Sequence, residues 1–424
     1  MFRPQSPGSS SSPDLSTSDL GAVIRRIEAK SRLRQPSGRA ASLEDALGGT
    51  VEENDAGRVL VVRRRFHLEH RHGEHLLRSA REIAPMTLGL LARGEAALHD
   101  RLRLLFLDTE TTGLAGGTGT YAFLVGVGFF DGDGFEVRQY FMRDLDEEPA
   151  LLATLDALFR DFDGIVTYNG TGFDLPLLET RFVLARRRWS EDWLHLDLLR
   201  AARRLWSTRL SDCRLGTLEQ HVLRFAREDD LPGFMIPNAY FEYLRRKRPG
   251  ALPRVFEHNR HDVLSLAVLT GWVAAAVASA PEGECHPEEL VGLGRLWEAI
   301  DLDRGLACYR KALDGGLESP VRERVLLRLA RREKRRARWE EARTLWEAAT
   351  LTTRGFDPQP WEEIAKVHEH RRRDFAAARA VVEEALSKAR VHLAPERVLG
   401  SFEHRLARLH RRERQVARYV PEEA

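Results

Sequence analysis

Residues 104–113 are LLFLDTETTG, within a chain of 424 residues. The first four form a short continuous apolar run, which is typical of a strand buried on both faces of a sheet. Asp108 and Glu110 follow at alternate positions, so in a strand both side chains point to the same side. Two carboxylates held that way repel each other, and a divalent cation would remove the repulsion. The segment predicts a buried strand that ends at a metal site, with a solvated turn or a helix cap as the alternative.

Strand and helix patterns continue after this segment. Four more strands are predicted at Ala122–Phe130, Glu136–Met142, Ile165–Tyr168 and Trp193–Leu199. Helices are predicted at Pro149–Phe159 and Leu175–Arg188. Because three strands precede the first helix, the pattern indicates an α/β domain with a mixed sheet and not a doubly wound dinucleotide fold.

Two further acidic residues lie at the ends of predicted elements. Asp174 ends the segment YNGTGFD, residues 168–174, and stands at the start of a helix. Asp262 ends HNRHD, residues 258–262, and opens the uncharged helix Val263–Ala280. Each of them alone could be merely a helix cap. Together with the first pair they place four carboxylates at the ends of buried elements of one domain.

The order and spacing of these motifs resemble a known superfamily. D-x-E, then N-x3-F-D, then an aromatic residue or His separated by three residues from a last Asp is similar to the pattern of the DEDD exonucleases, which have a ribonuclease H-like fold. Smaller matches are GGTGTY at 116–121, LDLL at 196–199, LGTLE at 215–219 and PG at 232–233. With them the chain resembles the YprB-type branch of bacterial ribonuclease H-like proteins, including its tetratricopeptide-like C-terminal extension. The resemblance implies a ribonuclease H-like mixed sheet flanked by helices, followed by an all-α helical-repeat domain.

The resemblance also implies a site and an activity. Asp108, Glu110, Asp174 and Asp262 would be the metal ligands, and oxygen ligands favour two Mg²⁺ or Mn²⁺ ions over zinc. The implied activity is a metal-dependent 3′→5′ exonuclease that hydrolyses phosphodiester bonds of RNA or DNA by a two-metal mechanism. We expect a single-stranded end as substrate. The residues expected to contact it are Thr111, Asn169 and Phe173.

One position departs from the superfamily pattern. Its tyrosine branch has a Tyr four positions before the last Asp, and its histidine branch has a His five positions before. Here His258 stands four positions before Asp262, and Glu257 stands five before. We predict that His258 orients or deprotonates the attacking water, since its unperturbed pKa of about 6.5 suits that task. His261 is the alternative, but one helical step turns it about 100° away from Asp262.

Two other local features have alternative interpretations. No Lys-Ser or Lys-Thr follows the glycine run Gly116–Gly119, so it is not a phosphate-binding P-loop and is better interpreted as a flexible loop at the mouth of the site. His67, His70 and His72 follow the strand Arg58–Phe66. They could bind a metal, or they could form a polar strand edge and turn.

The strands end before Pro281, and an internal repeat follows. The spacing of Gly305, Tyr309 and Ala312 recurs at Ala342, Trp346 and Ala349 and again at Ala378, Val382 and Ala385. This resembles the second helix of tetratricopeptide repeats, whose period is near 34 residues. An ordinary helical bundle is the alternative.

The helical region also holds a basic run. Residues 321–340 contain nine basic and three acidic side chains. They could contact phosphates, or they could form a solvated helix face. A second function hypothesis therefore accompanies the first: a catalytically weak or inactive nucleic-acid-binding scaffold that recruits a protein partner through its repeats.

Composition limits the class of protein. With 66 basic and 64 acidic residues the net charge is +2, which excludes a uniformly basic histone-like protein but not a local basic groove. Three cysteines without a C-x-x-C pair argue against a disulfide scaffold or a cysteine zinc site. No export signal is recognised and Val263–Ala280 is interpreted as a buried helix, so we expect a cytoplasmic protein with no membrane partner.

Four segments are expected along the chain. They are a disordered Ser/Pro-rich leader at 1–57, an N-terminal extension packing on the nuclease domain at 58–103, the ribonuclease H-like exonuclease domain at 104–280, and tetratricopeptide-like helical repeats at 281–424.

Overall fold

The computed structural model describes residues 42–92, 102–113, 118–190 and 192–417. Its strands are β1 (Thr50–Asn54), β2 (Gly57–His67), β3 (Arg71–His72), β4 (His75–Leu76), β5 (Leu104–Thr111), β6 (Ala122–Asp131), β7 (Gly134–Phe141), β8 (Gly164–Thr167) and β9 (Leu194–Asp197). Its helices are α1 (Leu43–Leu47), α2 (Pro85–Leu91), α3 (Glu148–Phe159), α4 (Asp174–Leu184), α5 (Leu198–Trp206), α6 (Leu215–Leu218), α7 (Ile236–Arg246), α8 (Leu252–Ser279), α9 (Pro287–Trp297), α10 (Leu302–Asp314), α11 (Val321–Arg335), α12 (Trp339–Thr352), α13 (Pro358–Val367), α14 (Phe375–Val391) and α15 (Glu396–Ala417).

Seven of the strands form one mixed sheet in the order β1-β2-β7-β6-β5-β8-β9. Neighbours are antiparallel from β1 to β5, and β8 runs parallel to β5. The central strand β6 is buried from Ala122 to Phe129. Residues 105–107 of β5 are buried too, within the apolar run that predicts a strand buried on both faces. The predicted α/β class, a mixed sheet flanked by helices and followed by an all-helical region, is confirmed.

Contacts divide the chain into two compact units. Of the described residues, the first unit contains those within 42–78, 102–195 and 223–268, and the second contains those within 79–92, 196–222 and 269–417. Helix α8 thus begins in the first unit and ends in the second. The domain boundaries expected at 103/104 and 280/281 stay predictions.

Part of the expected disordered leader is folded. Residues 42–57 form α1 and β1, and β1 is an edge strand that pairs with β2 from Thr50 to Asn54. Two local signals explain this order: Ser42 caps α1 by accepting a hydrogen bond from the Asp45 backbone, and Asn54 closes the turn into β2 by accepting one from Ala56. Residues 1–41 lie outside the described part of the chain.

The core of the first unit lies between the sheet and its helices. Apolar side chains of β2, β5, β6 and β7 pack with those of α3, α4, α7 and the start of α8. Phe123 of β6, for example, stacks on Tyr240 of α7 with ring centroids 4.1 Å apart. This packing holds β5, which carries the first acidic pair, in the middle of a rigid sheet.

The second unit contains consecutive helices that pack on each other, including α9 on α10, α11 on α12, and α13 on α14. The three repeated triplets lie on the second helix of each pair. The eight side chains that they contain are at most 1% exposed, and Gly305 is buried as well. A buried glutamate recurs near the end of each first helix, at Glu298, Glu333 and Glu369. These glutamates are 35 and 36 residues apart, so the repeat extends beyond the triplets that the sequence shows.

Most of the basic run is paired with neighbouring helices. Arg328 and Arg332 donate to Glu298, Arg338 donates to Glu333, and Lys334 donates to Glu363. Because these side chains form ion pairs within the protein, fewer positive charges are available to bind phosphates than the sequence count suggests.

One helix among the described residues, α8, is long and apolar enough to cross a membrane. Its most apolar 18-residue window has a mean hydropathy of 1.7, and 78% of that window is buried inside the protein. That degree of burial is typical of a core helix.

Candidate active site

The carboxyl end of β5 carries the first two acidic residues. Asp108 lies opposite Gly126 of β6 in the antiparallel register, and the pairing of β5 with β6 becomes irregular between Glu110 and Thr111. Irregularities of this kind are common beside functional sites because they redirect side chains. Glu110 is only 9% exposed.

Asp174 approaches β5 from the start of α4. The turn before it depends on Asn169, whose φ is 64°, and on Gly170, where a Cβ would lie 2.3 Å from Thr167 Oγ1. The backbone and hydroxyl of Thr109 donate to Asp174 Oδ1 over 3.1 and 2.6 Å. These two bonds fix a buried carboxylate beside the acidic pair of β5.

Helix α8 supplies the third part of the site. His258 and Asp262 are one helical turn apart, and His258 Nε2 lies 3.4 Å from Asp262 Oδ2. Ligand atoms of Glu110, His258 and Asp262 all lie within 4.8 Å of one another. Across the described ranges, no other set of three or more His, Cys, Asp or Glu side chains comes this close.

Burial and mutual repulsion raise the pKa of both carboxyls of β5. Burial is the largest cause for Asp108, followed by the charges of Asp262, Glu110 and Asp174, and its pKa lies well above the ordinary value. Burial and the nearby acids raise the pKa of Glu110 to about 8, against the opposing effect of His258. The site therefore holds more negative charge than it can keep without a cation.

His258 is held from its other side by Asp230. Burial alone would lower the pKa of His258, but the hydrogen bond to Asp230 and the charges of Asp262 and Glu110 raise it to about 9. Nδ1 lies 2.9 and 3.0 Å from the two carboxylate oxygens of Asp230. Despite its burial, Asp230 has a lowered pKa, because His258 and Arg227 favour its charged form.

Arg227 joins the same cluster from the loop that carries Asp230. Its guanidinium donates to Asp262 Oδ1 over 2.5 Å and to Asp230 Oδ2 over 3.4 Å. Sequence reasoning missed both residues, since the segment RFAREDD at 224–230 carries no motif and only the fold brings it to α8.

Asn259 is a further site residue that the sequence analysis passed over, although it lies inside the HNRHD motif. It is fully buried and donates to Asp108 Oδ2 over 2.8 Å, while its own oxygen accepts from Gln139 over 2.9 Å. A Cβ at Gly126 would lie 2.0 Å from Asn259 Oδ1, so only glycine fits there. Asn259 thus fixes Asp108 as Thr109 fixes Asp174.

The structure also places the three residues predicted to contact the substrate. Thr111 donates from its hydroxyl to Gly113 O over 2.8 Å, and Phe173, directly before Asp174, is 58% exposed. Asn169 forms the turn before α4. In the glycine run, residues 116 and 117 lie outside the described part of the chain, as do 114 and 115.

Three other histidines named in the sequence analysis, His261, His72 and His67, do not join the metal-ligand cluster. His261 Nε2 is 3.0 Å from Glu257, and its ring packs edge-on against Phe225. His72 is buried, with Nε2 2.7 Å from Ser265 Oγ. His67, by contrast, is exposed on β2, so the three histidines after Arg58–Phe66 do not gather into a metal site.

The donor set suits divalent cations. Carboxylates of Asp108, Glu110, Asp174 and Asp262 supply the oxygen ligands that Mg²⁺ and Mn²⁺ prefer. The repulsion that raises the pKa of Asp108 and Glu110 is one that a bound cation would relieve. The residues present therefore fit a divalent-cation site.

A mixed sheet with acidic residues on its inner strand β5 and on the helices α4 and α8 places this chain in the ribonuclease H class. Residues 105–274 match the family described as the RNase_H superfamily. The chain belongs to the YprB family. It is 31% identical over 353 residues to "Uncharacterized protein YprB" of Bacillus subtilis (strain 168), which covers 82% of this chain and 84% of that protein. The family B DNA polymerase from the archaeon Pyrobaculum calidifontis aligns with a TM-score of 0.33 and 16% identity, over 48% of this chain and 30% of the polymerase chain.

Proposed function

We propose that the protein is a metal-dependent 3′→5′ exonuclease of the DEDD type, acting on RNA or DNA. Membership of the RNase_H superfamily supports a nucleic-acid hydrolase. The observation that carries the proposal is the meeting of Asp108, Glu110, Asp174 and Asp262 from three separate elements, with the pKa of the β5 pair raised by their burial and repulsion. Structural proteins rarely tolerate such a cluster without a function.

Each residue has a defined part in this proposal. The four carboxylates would hold the cations, and bound cations would activate water and stabilise the leaving oxygen. His258, beside Glu110 and Asp262, is the fifth residue that we assign to the active site. Phe173 offers an exposed ring on which a terminal base can stack.

We further propose that the helices α9–α15 form a tetratricopeptide-like array that binds a partner protein or the substrate. The buried triplets on α10, α12 and α14 support this proposal, and so do the buried glutamates that recur with nearly the same period. Repeats of this kind stack into extended binding surfaces.

The test is hydrolysis of a single strand carrying a 5′ label, as RNA and as DNA, with Mg²⁺ or Mn²⁺. A 3′→5′ exonuclease gives a ladder of products that shorten from the unlabelled end. Asp108→Asn should give no ladder, whereas Asp131→Asn, a half-exposed aspartate at the end of β6, should match wild type.

Two results would contradict the proposal. Cleavage of a circular strand as fast as a linear one would indicate an endonuclease. Tight strand binding with no hydrolysis under any of these conditions would favour the scaffold hypothesis.

A further inference from the structure

The two ring nitrogens of His258 face different partners. Nδ1 lies 2.9 and 3.0 Å from the carboxylate oxygens of Asp230, which can only accept, and 3.3 Å from Arg227 Nη1, which can only donate. The two shorter contacts assign the hydrogen to Nδ1. Nε2 faces Asp262 Oδ2 at 3.4 Å. Histidine ligands of metals are commonly held this way, with the other ring nitrogen donating to a carboxylate.

Nε2 is also spaced to share a cation with two carboxylates. Its neighbours Glu110 and Asp262 offer oxygens within 4.8 Å of it and of each other. Two ligands that each lie about 2.1 Å from one ion, at right angles, are about 3 Å apart. The 3.4 Å between Nε2 and Asp262 Oδ2 is close to that separation.

The loop residues support this arrangement. Arg227 binds Asp262 through Oδ1, so the Oδ2 atom is the one that faces His258. The same guanidinium contacts Asp230, which binds the ring. Loop 224–230 therefore fixes both the imidazole and the carboxylate of α8.

We propose that His258 binds a divalent cation through Nε2, together with Glu110 and Asp262, and that Asp230 is its positioning residue. The inference rests on the proposed nuclease function, but it changes His258 from the base that orients water into a metal ligand. It also selects the ion. An imidazole nitrogen favours a transition-metal ion over Mg²⁺, and Mn²⁺ is the transition-metal ion that carboxylates also suit.

The test uses Mn²⁺ bound to the full-length protein, followed by electron paramagnetic resonance. In wild type, the spin echo of the bound Mn²⁺ should show the ¹⁴N modulation that a directly bound imidazole produces. This measurement tests the proposal on the unaltered protein. His258→Gln should lose the modulation and bind Mn²⁺ at least about tenfold more weakly, with a smaller loss of Mg²⁺ affinity in competition. Asp230→Asn should weaken Mn²⁺ binding by about 10–100-fold, the usual effect of losing such a partner.

Two controls separate this role from a general effect on folding. His261→Gln removes another histidine of α8 but should keep the modulation. Asp229→Asn changes the half-exposed neighbour of Asp230 and should keep wild-type Mn²⁺ affinity.

The outcomes also separate the two proposals. Bound Mn²⁺ without ¹⁴N modulation in wild type, or modulation that survives in His258→Gln, would overturn the inference and leave the nuclease proposal standing. If wild type shows the ¹⁴N modulation but hydrolyses no strand, the inference about His258 stands and the nuclease proposal is refuted. A wild type that binds no Mn²⁺ would refute both.

Discussion

The carboxyl of Asp108 sits among three other acids, so its charge is unfavourable unless a cation is bound. Burial and the charges of Asp262, Glu110 and Asp174 all raise its pKa. Asn259 donates to its Oδ2, a bond that an amide oxygen can equally accept. Replacing the carboxylate by an amide therefore removes a repulsive charge and keeps the local hydrogen bond.

We predict that Asp108→Asn loses hydrolysis and binds Mn²⁺ more weakly, yet unfolds at the same temperature as wild type or higher when EDTA is present. Thermal unfolding in EDTA and Mn²⁺ titration measure the two effects separately. A variant that binds Mn²⁺ as tightly as wild type would show that Asp108 is not a ligand.

His72 couples the stability of the first unit to pH. Burial is the main cause that lowers its pKa to about 3, with smaller contributions from His261, His70, Arg227 and His75. In the unfolded chain the same ring takes up a proton below pH about 6.5. Between these two values the unfolded state binds more protons, so stability falls as the pH falls.

We predict that His72→Gln, which can still bond to Ser265, loses less stability than wild type between pH 7 and pH 5. Wild type should lose about 2 kcal/mol more of its free energy of unfolding than the variant does. The reason is that each pH unit below 6.5 costs the protein with His72 about 1.4 kcal/mol. Urea unfolding at the two pH values measures it. His67→Gln, on the exposed part of β2, should behave like wild type, and equal acid sensitivity of all three proteins would rule out the role of His72.

At the scale of elements, β6 was predictable because its apolar run is long and uninterrupted, and β7 because a turn rich in Gly and Asp separates it from β6. The strands predicted from Ala122 and Glu136 differ from β6 and β7 by no more than two residues at either end. The edge strand β1 was missed, since its five residues alternate weakly between exposed and half-buried positions. Edge strands are specified largely by the partner they pair with, which one-dimensional patterns do not show.

The sequence identified the site residues that belong to recognisable motifs, and it missed those that do not. Asp108, Glu110 and Asp174 lie at the ends of elements that local patterns identify. His258 and Asp262 lie inside α8, because that helix begins at Leu252 and not at Val263 as predicted. The fold brings the five residues together. Their roles in metal binding and catalysis stay predictions. Arg227 and Asp230 come from a loop whose position depends on tertiary packing, so no sequence signal could have marked them.

Helices of the second unit are joined by buried ion pairs. Glu369, whose side chain is fully buried, accepts from Arg405 over 3.1 Å and from Arg408 over 2.7 and 3.1 Å. Both arginines lie on α15. Removing one partner of such a pair leaves the other charges uncompensated.

We predict that Glu369→Gln lowers the free energy of unfolding of this region by about 3 kcal/mol, the lower end for buried pairs because Arg408 is about a third exposed. Glu403→Gln is the matched control, since Glu403 forms a half-exposed pair with Arg390. Glu403→Gln should lower the free energy of unfolding by less than about 1 kcal/mol. Denaturant unfolding followed by circular dichroism compares the two, and equal losses would show that α15 is not held by this pair.

For the whole molecule, the second unit collects residues from three separate parts of the chain. Helix α5 packs on α9 within it: Trp206 is fully buried and donates to Glu289 over 2.8 Å. A Cβ at Gly292 would lie 2.5 Å from Arg204 O, so the two backbones are in close contact. Trp297 donates to the carbonyl of Val277, near the end of α8, over 3.0 Å.

We therefore predict that a chain ending at Ala280 loses stability or aggregates, because it keeps α5 and the end of α8 but loses the helix that covers them. Exposure of a large buried side chain such as Trp206 costs about 1.5–3 kcal/mol, a sizeable part of the stability of an ordinary domain. A chain ending at Ala394 is the control. It removes only α15 and its contacts, and repeat arrays couple mainly nearest neighbours, so it should keep the packing of α5 on α9 and the near-ultraviolet circular dichroism signal of the buried Trp206. Size-exclusion chromatography and thermal unfolding distinguish the two chains, and a monomeric chain 1–280 that unfolds at the wild-type temperature would show that residues 196–222 do not depend on the helical repeats.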